Sequence, residues 1–243
     1  MPITMRLSAT LILMLAGLGQ ASAGNLYAKL EAGYAWAESA GLDDRQGYES
    51  DTCLICVPGE VDDLDDGALA GVGLGYRVND AIRVDLTYTH RAGNDLAAGD
   101  SIGGNYHSDI KSNAVMVSGY YDLPVSVGKF KPYVGAVIGW ARNRMSGIRQ
   151  DWNVSPAEQG WQRDPGGSAS GFAWQVMAGL TYQINAAWSA DIGYRHFDGG
   201  KLETNAGTSE VQHLGSPYYE YPSGGLEGHL RTDELLLTLR YEF

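Results

Sequence analysis

The sequence predicts an all-β fold: an eight-stranded antiparallel transmembrane β-barrel of up-and-down topology, with short periplasmic turns and long extracellular loops. Three observations carry this. The chain stops on Leu235-Leu236-Leu237-Thr238-Leu239-Arg240-Tyr241-Glu242-Phe243. Period two puts Leu235, Leu237, Leu239, Tyr241 and Phe243 on one face, and Glu234, Leu236, Thr238, Arg240 and Glu242 on the other. A closed barrel needs such a strand, because its last strand must pair with its first to leave no edge in lipid. Seven earlier segments alternate in the same way, and the connections between segments are short and long by turns.

In chain order, Met1–Arg6 carries one positive charge, Leu7–Leu18 is mostly apolar, and Ala21-Ser22-Ala23 offers small residues for cleavage. Residues 1–23 therefore read as a secretory signal, and 24–243 as one barrel domain. The apolar stretch is too short to span a bilayer as a helix. The expected strands are Leu26–Trp36, Ala68–Arg77, Ile82–Arg91, Asp109–Leu123, Phe130–Arg142, Phe172–Ile184, Trp188–Phe197 and Leu230–Phe243. Asn79-Asp80-Ala81 and Asn185-Ala186-Ala187 make tight turns, and Pro124–Lys129 is slightly longer. Glu38–Gly67, Ala92–Ser108, Asn143–Gly171 and Asp198–His229 are long and rich in Gly, Ser, Asp and Asn. Short turns on one side and long loops on the other are the outer-membrane arrangement.

Composition agrees. A hydrophobic content of 44% suits a barrel in which half of each strand faces a polar lumen. The 33 Gly and 15 Tyr favour strands and turns over helices. A formal charge of −12 argues against nucleic acid as a partner. Aromatics fall near the strand ends: Trp36, Tyr88, Trp140, Tyr194, Phe172 and Trp174 at one interface, and Tyr76, Tyr121, Tyr182, Trp188, Tyr241 and Phe243 at the other. That is the pattern of two membrane girdles.

The face opposite the apolar residues carries Lys29, Glu31, Arg77, Arg83, Asp85, Arg91, Asp122, Asp191, Arg195, Glu234, Arg240 and Glu242, six basic and six acidic groups. In a narrow lumen such charges are costly unless paired. An eight-stranded barrel has an interior that side chains just fill, so this network is expected to plug the lumen. Leu239, Tyr241 and Phe243 are the expected recognition end for the barrel-assembly machinery.

Several strands resemble a known family. These are Pro132-Tyr133-Val134-Gly135-Ala136-Val137-Ile138-Gly139-Trp140-Ala141, Phe172-Ala173-Trp174-Gln175, Ile192-Gly193-Tyr194-Arg195-His196-Phe197, Gly119-Tyr120-Tyr121-Asp122-Leu123 and the closing Leu-Arg-Tyr-Glu-Phe. They are similar to the recurring strands of the small outer-membrane β-barrel family, which includes OmpA-like and opacity-type porin-like surface proteins. The resemblance implies the fold over nearly the whole chain after the signal. It says little of activity, since members serve as structural proteins, antigens, adhesins and minor pores. Some members add a peptidoglycan-binding domain after the barrel, and none is expected here.

The remaining motifs have plain readings. Cys53-Leu54-Ile55-Cys56 lies in the first long loop of an exported chain, where a local disulfide is favoured over free or intermolecular thiols and over metal binding. Ten acids in Glu38–Gly67 face one Arg45, which suits a solvated loop making weak contacts with divalent ions better than a specific metal site. His90 and His196 fall on the outward face near the outer leaflet, but no outward serine adjoins them, so a lipid-hydrolase reading is not favoured. The loops also carry Trp152, Trp161 and Tyr218-Tyr219-Glu220-Tyr221, fit either for contact with a ligand or for packing among themselves. The expected function is that of a structural surface barrel, not an enzyme, with at most small porin-like conductance. The alternative is an adhesin or ligand-binding protein working through its loops. The expected setting is the bacterial outer membrane as a monomer in contact with lipid and lipopolysaccharide, and with a host or extracellular ligand in the alternative. No cofactor and no metal is expected.

Overall fold

A computed structural model describes residues 25–37, 43–44, 64–93, 96–99, 104–155 and 158–243. The signal segment and Cys53-Leu54-Ile55-Cys56 lie outside the described residues, as does most of the acidic run of the first loop. Eight long strands form the barrel: β1 (Leu26–Ala37), β2 (Gly67–Arg77), β3 (Ile82–Ala92), β4 (Ile110–Asp122), β5 (Phe130–Met145), β6 (Gly167–Gln183), β7 (Trp188–Glu203) and β8 (Leu226–Glu242). Each pairs antiparallel with the next, and β8 pairs back onto β1 from Tyr27↔Glu242 to Ala37↔Thr232. The amide of Phe243 adds one further bond, to the carbonyl of Leu26 at 3.0 Å. No edge of the membrane-spanning wall is left unpaired.

Alternation fixes which side each residue takes. Along β3 and β4 exposed and buried positions follow one another almost without a break. Most exposed positions are apolar or aromatic, among them Val84, Leu86, Tyr88, Val115, Val117 and Tyr121. Large apolar groups facing outward around the whole wall are tolerated only where lipid, not water, is the surroundings. Two of the three turns use one device. Asn79 Oδ1 accepts from the amides of Ala81 and Ile82, both at 2.8 Å, and Asn185 Oδ1 accepts from those of Ala187 and Trp188, both at 2.9 Å. The third closes through a Val127–Phe130 bridge, with Gly128 at φ +65° where a side chain would be strained.

On the extracellular side the strands run on past the expected bounds. β5 reaches Met145 rather than Arg142, β6 starts at Gly167 rather than Phe172, β7 ends at Glu203 rather than Phe197, and β8 starts at Leu226 rather than Leu230. The reason is physical. Above the lipid the outward face meets water and turns polar (Arg142 and Arg144 are exposed), so the apolar outer half of the alternation disappears while the backbone ladder continues. A bulge between Asp198 and Gly200, with Gly200 at φ +74°, bends β7 where it leaves the membrane.

The expected loops also fold. Hairpins Leu96–Gly99/Gly104–Ser108, Arg149–Ser155/Glu158–Arg163 and Gly207–His213/Tyr219–Ser223 join edge to edge into a six-stranded antiparallel outer sheet. The joins are Gly104–His107 with Arg149–Trp152, and Gly160–Arg163 with Glu210–His213. Three loops thereby become one surface.

Candidate functional site: a filled lumen beneath an extracellular sheet

Glycine gives the lumen its room. On β2 the residues Gly71, Gly73 and Gly75 point inward, while Val72 and Leu74 face lipid. They sit opposite Glu31, Lys29 and Tyr27 of β1, and a Cβ at any of the three would run into one of those side chains. The side chains of β1 therefore lie across β2 and reach β3. Lys29 Nζ stands 3.0 Å from Asp85 Oδ2, Tyr27 donates to Asp85 at 3.2 Å, and Thr89 donates to Glu31 at 2.8 Å.

All twelve charged residues expected in the lumen lie on the inner side, and each has an opposite charge within reach. Glu234, fully buried, receives Arg91 Nε at 2.6 Å and also pairs with Arg195, which holds Glu31 at 3.4 Å. Nearer the periplasm Arg83 grips Asp122 with bonds of 2.7 to 3.0 Å, and Arg77 joins Asp122 at 3.6 Å and Glu242. Arg240 Nε lies 2.9 Å from Asp191, which also accepts from Thr181 at 2.6 Å.

Two further sets of residues were overlooked in the charge pattern. Tyr27, Tyr120 and Tyr133 share the inner face. Lys29 donates to Tyr120 at 3.0 Å, and the Arg83 guanidinium lies over the rings of Tyr120 and Tyr133 at 4.8 and 5.3 Å. Strand parity with Lys29 and Asp122 would have placed Tyr27 and Tyr120 there. Above the ionic layer, Ile110, Met145, Ile148, Phe197, Leu202 and Leu230 form a buried apolar layer at the extracellular mouth, and the Arg91 guanidinium lies 3.6 Å from the Phe197 ring centre. Between the charges a cavity of about 20 Å³ remains, room for about one water.

On the lipid-facing side His90 Nδ1 meets Asn113 Oδ1 at 2.9 Å, and Tyr88 donates to the same oxygen at 2.6 Å. His196 Nδ1 meets Asp233 at 2.9 Å and its ring neighbours Trp174. Outside, Trp161 is half-buried rather than fully exposed and lies near Arg163 and Tyr218, and Tyr218 is exposed. The side chain of Trp152 lies outside the described residues. The Tyr218 phenol, 45% exposed, is pushed up to about 12 by the partial loss of its hydration and by its hydrogen bond to Glu220, with Glu210 adding to the effect. Arg149 donates twice to Asp151, at 2.8 Å each, and holds that carboxyl below its usual range.

A family model described as outer membrane protein beta-barrel domain matches residues 7–243. The chain belongs to that family. Its place is therefore the bacterial outer membrane. It is 26% identical over 184 residues to the outer membrane protein PagN of Salmonella typhimurium, covering 71% of this chain and 72% of PagN. An uncharacterized protein of Brucella abortus is 32% identical over 169 residues, 60% of this chain and 55% of that protein. Among solved structures, Neisserial surface protein A superposes with a TM-score of 0.52 over 90% of this chain and 97% of its own, at 18% identity, a likeness of fold.

Proposed function

We propose that this chain is a structural surface barrel with at most slight conductance, whose contacts are made outside the membrane. The observation that carries this is the filled lumen. Six acidic and six basic groups pair in three neighbouring clusters, a cavity of about 20 Å³ lies among seven of them, and an apolar layer covers them at the outer mouth. Hydrated ions need a continuous wet path, and buried paired charges with apolar side chains above them do not supply one. Reconstituted into planar bilayers, the chain should give no steady single-channel current at neutral pH. Uniform channels scaling with salt concentration would overturn this reading.

A second role is favoured by the outer sheet, which presents six strands as one continuous surface. Such a surface suits an adhesin or ligand-binding protein, and cells displaying it should adhere to a matrix-coated surface better than cells lacking it. The lipid-hydrolase reading is not supported by the surroundings of His196. Its cross-strand neighbours are Val176 and Asp233, neither of which offers a hydroxyl for acyl transfer. In the same reading Phe243, bonded to the first strand through its amide, is the end recognised during assembly, and Cys53 with Cys56 forms a local disulfide in the first loop.

A further inference from the structure

The register of the outer sheet sets side chains in rows. Trp161 lies directly across from Asp151 on one neighbouring strand and from Gln212 on the other, and Gln159 is paired with Asn153. The intervening Gln150, Gln162 and Val211 are buried on the opposite face. Asp151, Asn153, Gln159, Trp161, Gln212 and Leu214 line an open groove of about 350 Å³ on the extracellular sheet.

The polar groups in the groove are already held in place. Gln159 donates to Asn153 Oδ1 at 2.8 Å, which leaves the Asn153 amide hydrogens and the Gln159 carbonyl free to turn to a ligand. Gln212 donates to the carbonyls of His213 and Ser216 at 3.1 and 2.8 Å, so its own side-chain carbonyl is oriented as an acceptor. Asp151 is fixed by Arg149 and keeps lone pairs on both oxygens. Little side-chain freedom is left to lose on binding.

We propose that this groove binds an uncharged pyranose saccharide, resting on the reading of the outer sheet as a contact surface. A sugar ring has one face of weakly positive C–H groups, which matches the negative face of the Trp161 indole. Its rim carries hydroxyls that both donate and accept, which matches paired amides and a carboxylate. Arg149 and Arg163 on the same face are taken up by Asp151 and Glu210, and with Glu220 that face carries three acids against two bases, so an anionic or sulfated sugar meets net repulsion. An apolar peptide would strand the same amides. Two sources share this chemistry, glycans of a foreign surface and neutral sugars of lipopolysaccharide.

The test uses the full refolded chain in detergent micelles, with saturation-transfer NMR titrations of lactose, maltotriose, chitotriose and sucrose octasulfate. Delipidated polysaccharide from the parent outer membrane is titrated beside them to distinguish the two sources. At least one neutral sugar, or that polysaccharide, should bind in the millimolar range or tighter. Trp161→Ala should weaken it at least tenfold with the folded band in unboiled gels unchanged. Should that variant fail to fold, Gln212→Leu should weaken binding several-fold. Absence of binding by every neutral sugar and the polysaccharide overturns the proposal. Binding of sucrose octasulfate alone, or binding within twofold of wild type in the variants that fold, overturns it equally. Cells that still adhere to a coated surface after such a failure would sink the saccharide assignment and leave the contact role standing.

Discussion

Replacing Glu234 by Gln tests the lumen where its charges are most concentrated. Glu234 is fully buried and neutralises both Arg91 and Arg195, each only 1% exposed. After the change Arg195 still has Glu31 at 3.4 Å, but Arg91 loses its 2.6 Å partner and is left against the Phe197 ring. Breaking a buried pair by removing one member costs about 3–5 kcal/mol. Gln keeps one acceptor and the shape of the side chain, so the lower end applies, about 3 kcal/mol or roughly 150-fold in the unfolding equilibrium. Urea titrations in lipid vesicles, followed by tryptophan fluorescence, measure the loss. Adding Arg91→Met should recover at least about 1 kcal/mol, since the double variant no longer leaves that cation alone. A loss for Glu234→Gln below about 1 kcal/mol would refute the reasoning, because that is the scale of pairs open to water.

Other outcomes follow from the same geometry. Gly75→Val places a side chain in the space held by the Tyr27 ring and should cost about 1–3 kcal/mol in the same titration, with Tyr27→Ala restoring much of it. Deleting Phe243 removes the last amide bond to β1, and a smaller fraction of the chain should run as the folded band in unboiled outer-membrane samples. The mature protein should show no free thiol, and changing Cys53 and Cys56 together to Ser should leave barrel stability nearly unchanged while making the first loop easier to cleave. Two thiols labelled per chain in unreduced membranes would remove the disulfide.

What the sequence made legible follows from how sharply lipid and lumen differ. In the membrane most inward residues are polar or small and most outward ones apolar, so period two alone locates β3 and β4 to within a residue of their bounds. Above the lipid that contrast vanishes, which is why the extensions of β5 to β8 and the whole outer sheet could not be read as strands. The hairpin Arg149–Ser155/Glu158–Arg163 has only Trp152, Val154 and Trp161 among glycine and polar residues, too few to mark an apolar face, and its partners lie far away in the chain. The inward Gly71, Gly73 and Gly75 were visible as a two-residue repeat, yet abundant glycine reads as turn and strand composition until the large side chains opposite are in place. The apolar mouth was hidden for a similar reason. Ile110, Leu202 and Leu230 stand where the expected alternation was already failing, so nothing marked them as inward.

The lumen charges also settle which register the wall can adopt. A one-residue slip of a strand turns every inward side chain toward lipid. For β3 that would send Arg83, Asp85 and Arg91 outward together, with a cost per arginine that rises from about 0–1 kcal/mol near an interface to about 2–4 kcal/mol at the midplane. The pairs themselves tie strands that are not neighbours: β1 to β3 through Lys29 and Asp85, β3 to β8 through Arg91 and Glu234, and β2 to β4 through Arg77 and Asp122. An apolar interior of equal volume could stabilise the wall as well or better, because buried pairs are poor sources of net stability. It would also make inner and outer faces alike, and a wall greasy on both sides has little to oppose a slipped strand. The paired charges that fill the lumen therefore also hold the strands of the wall in their register.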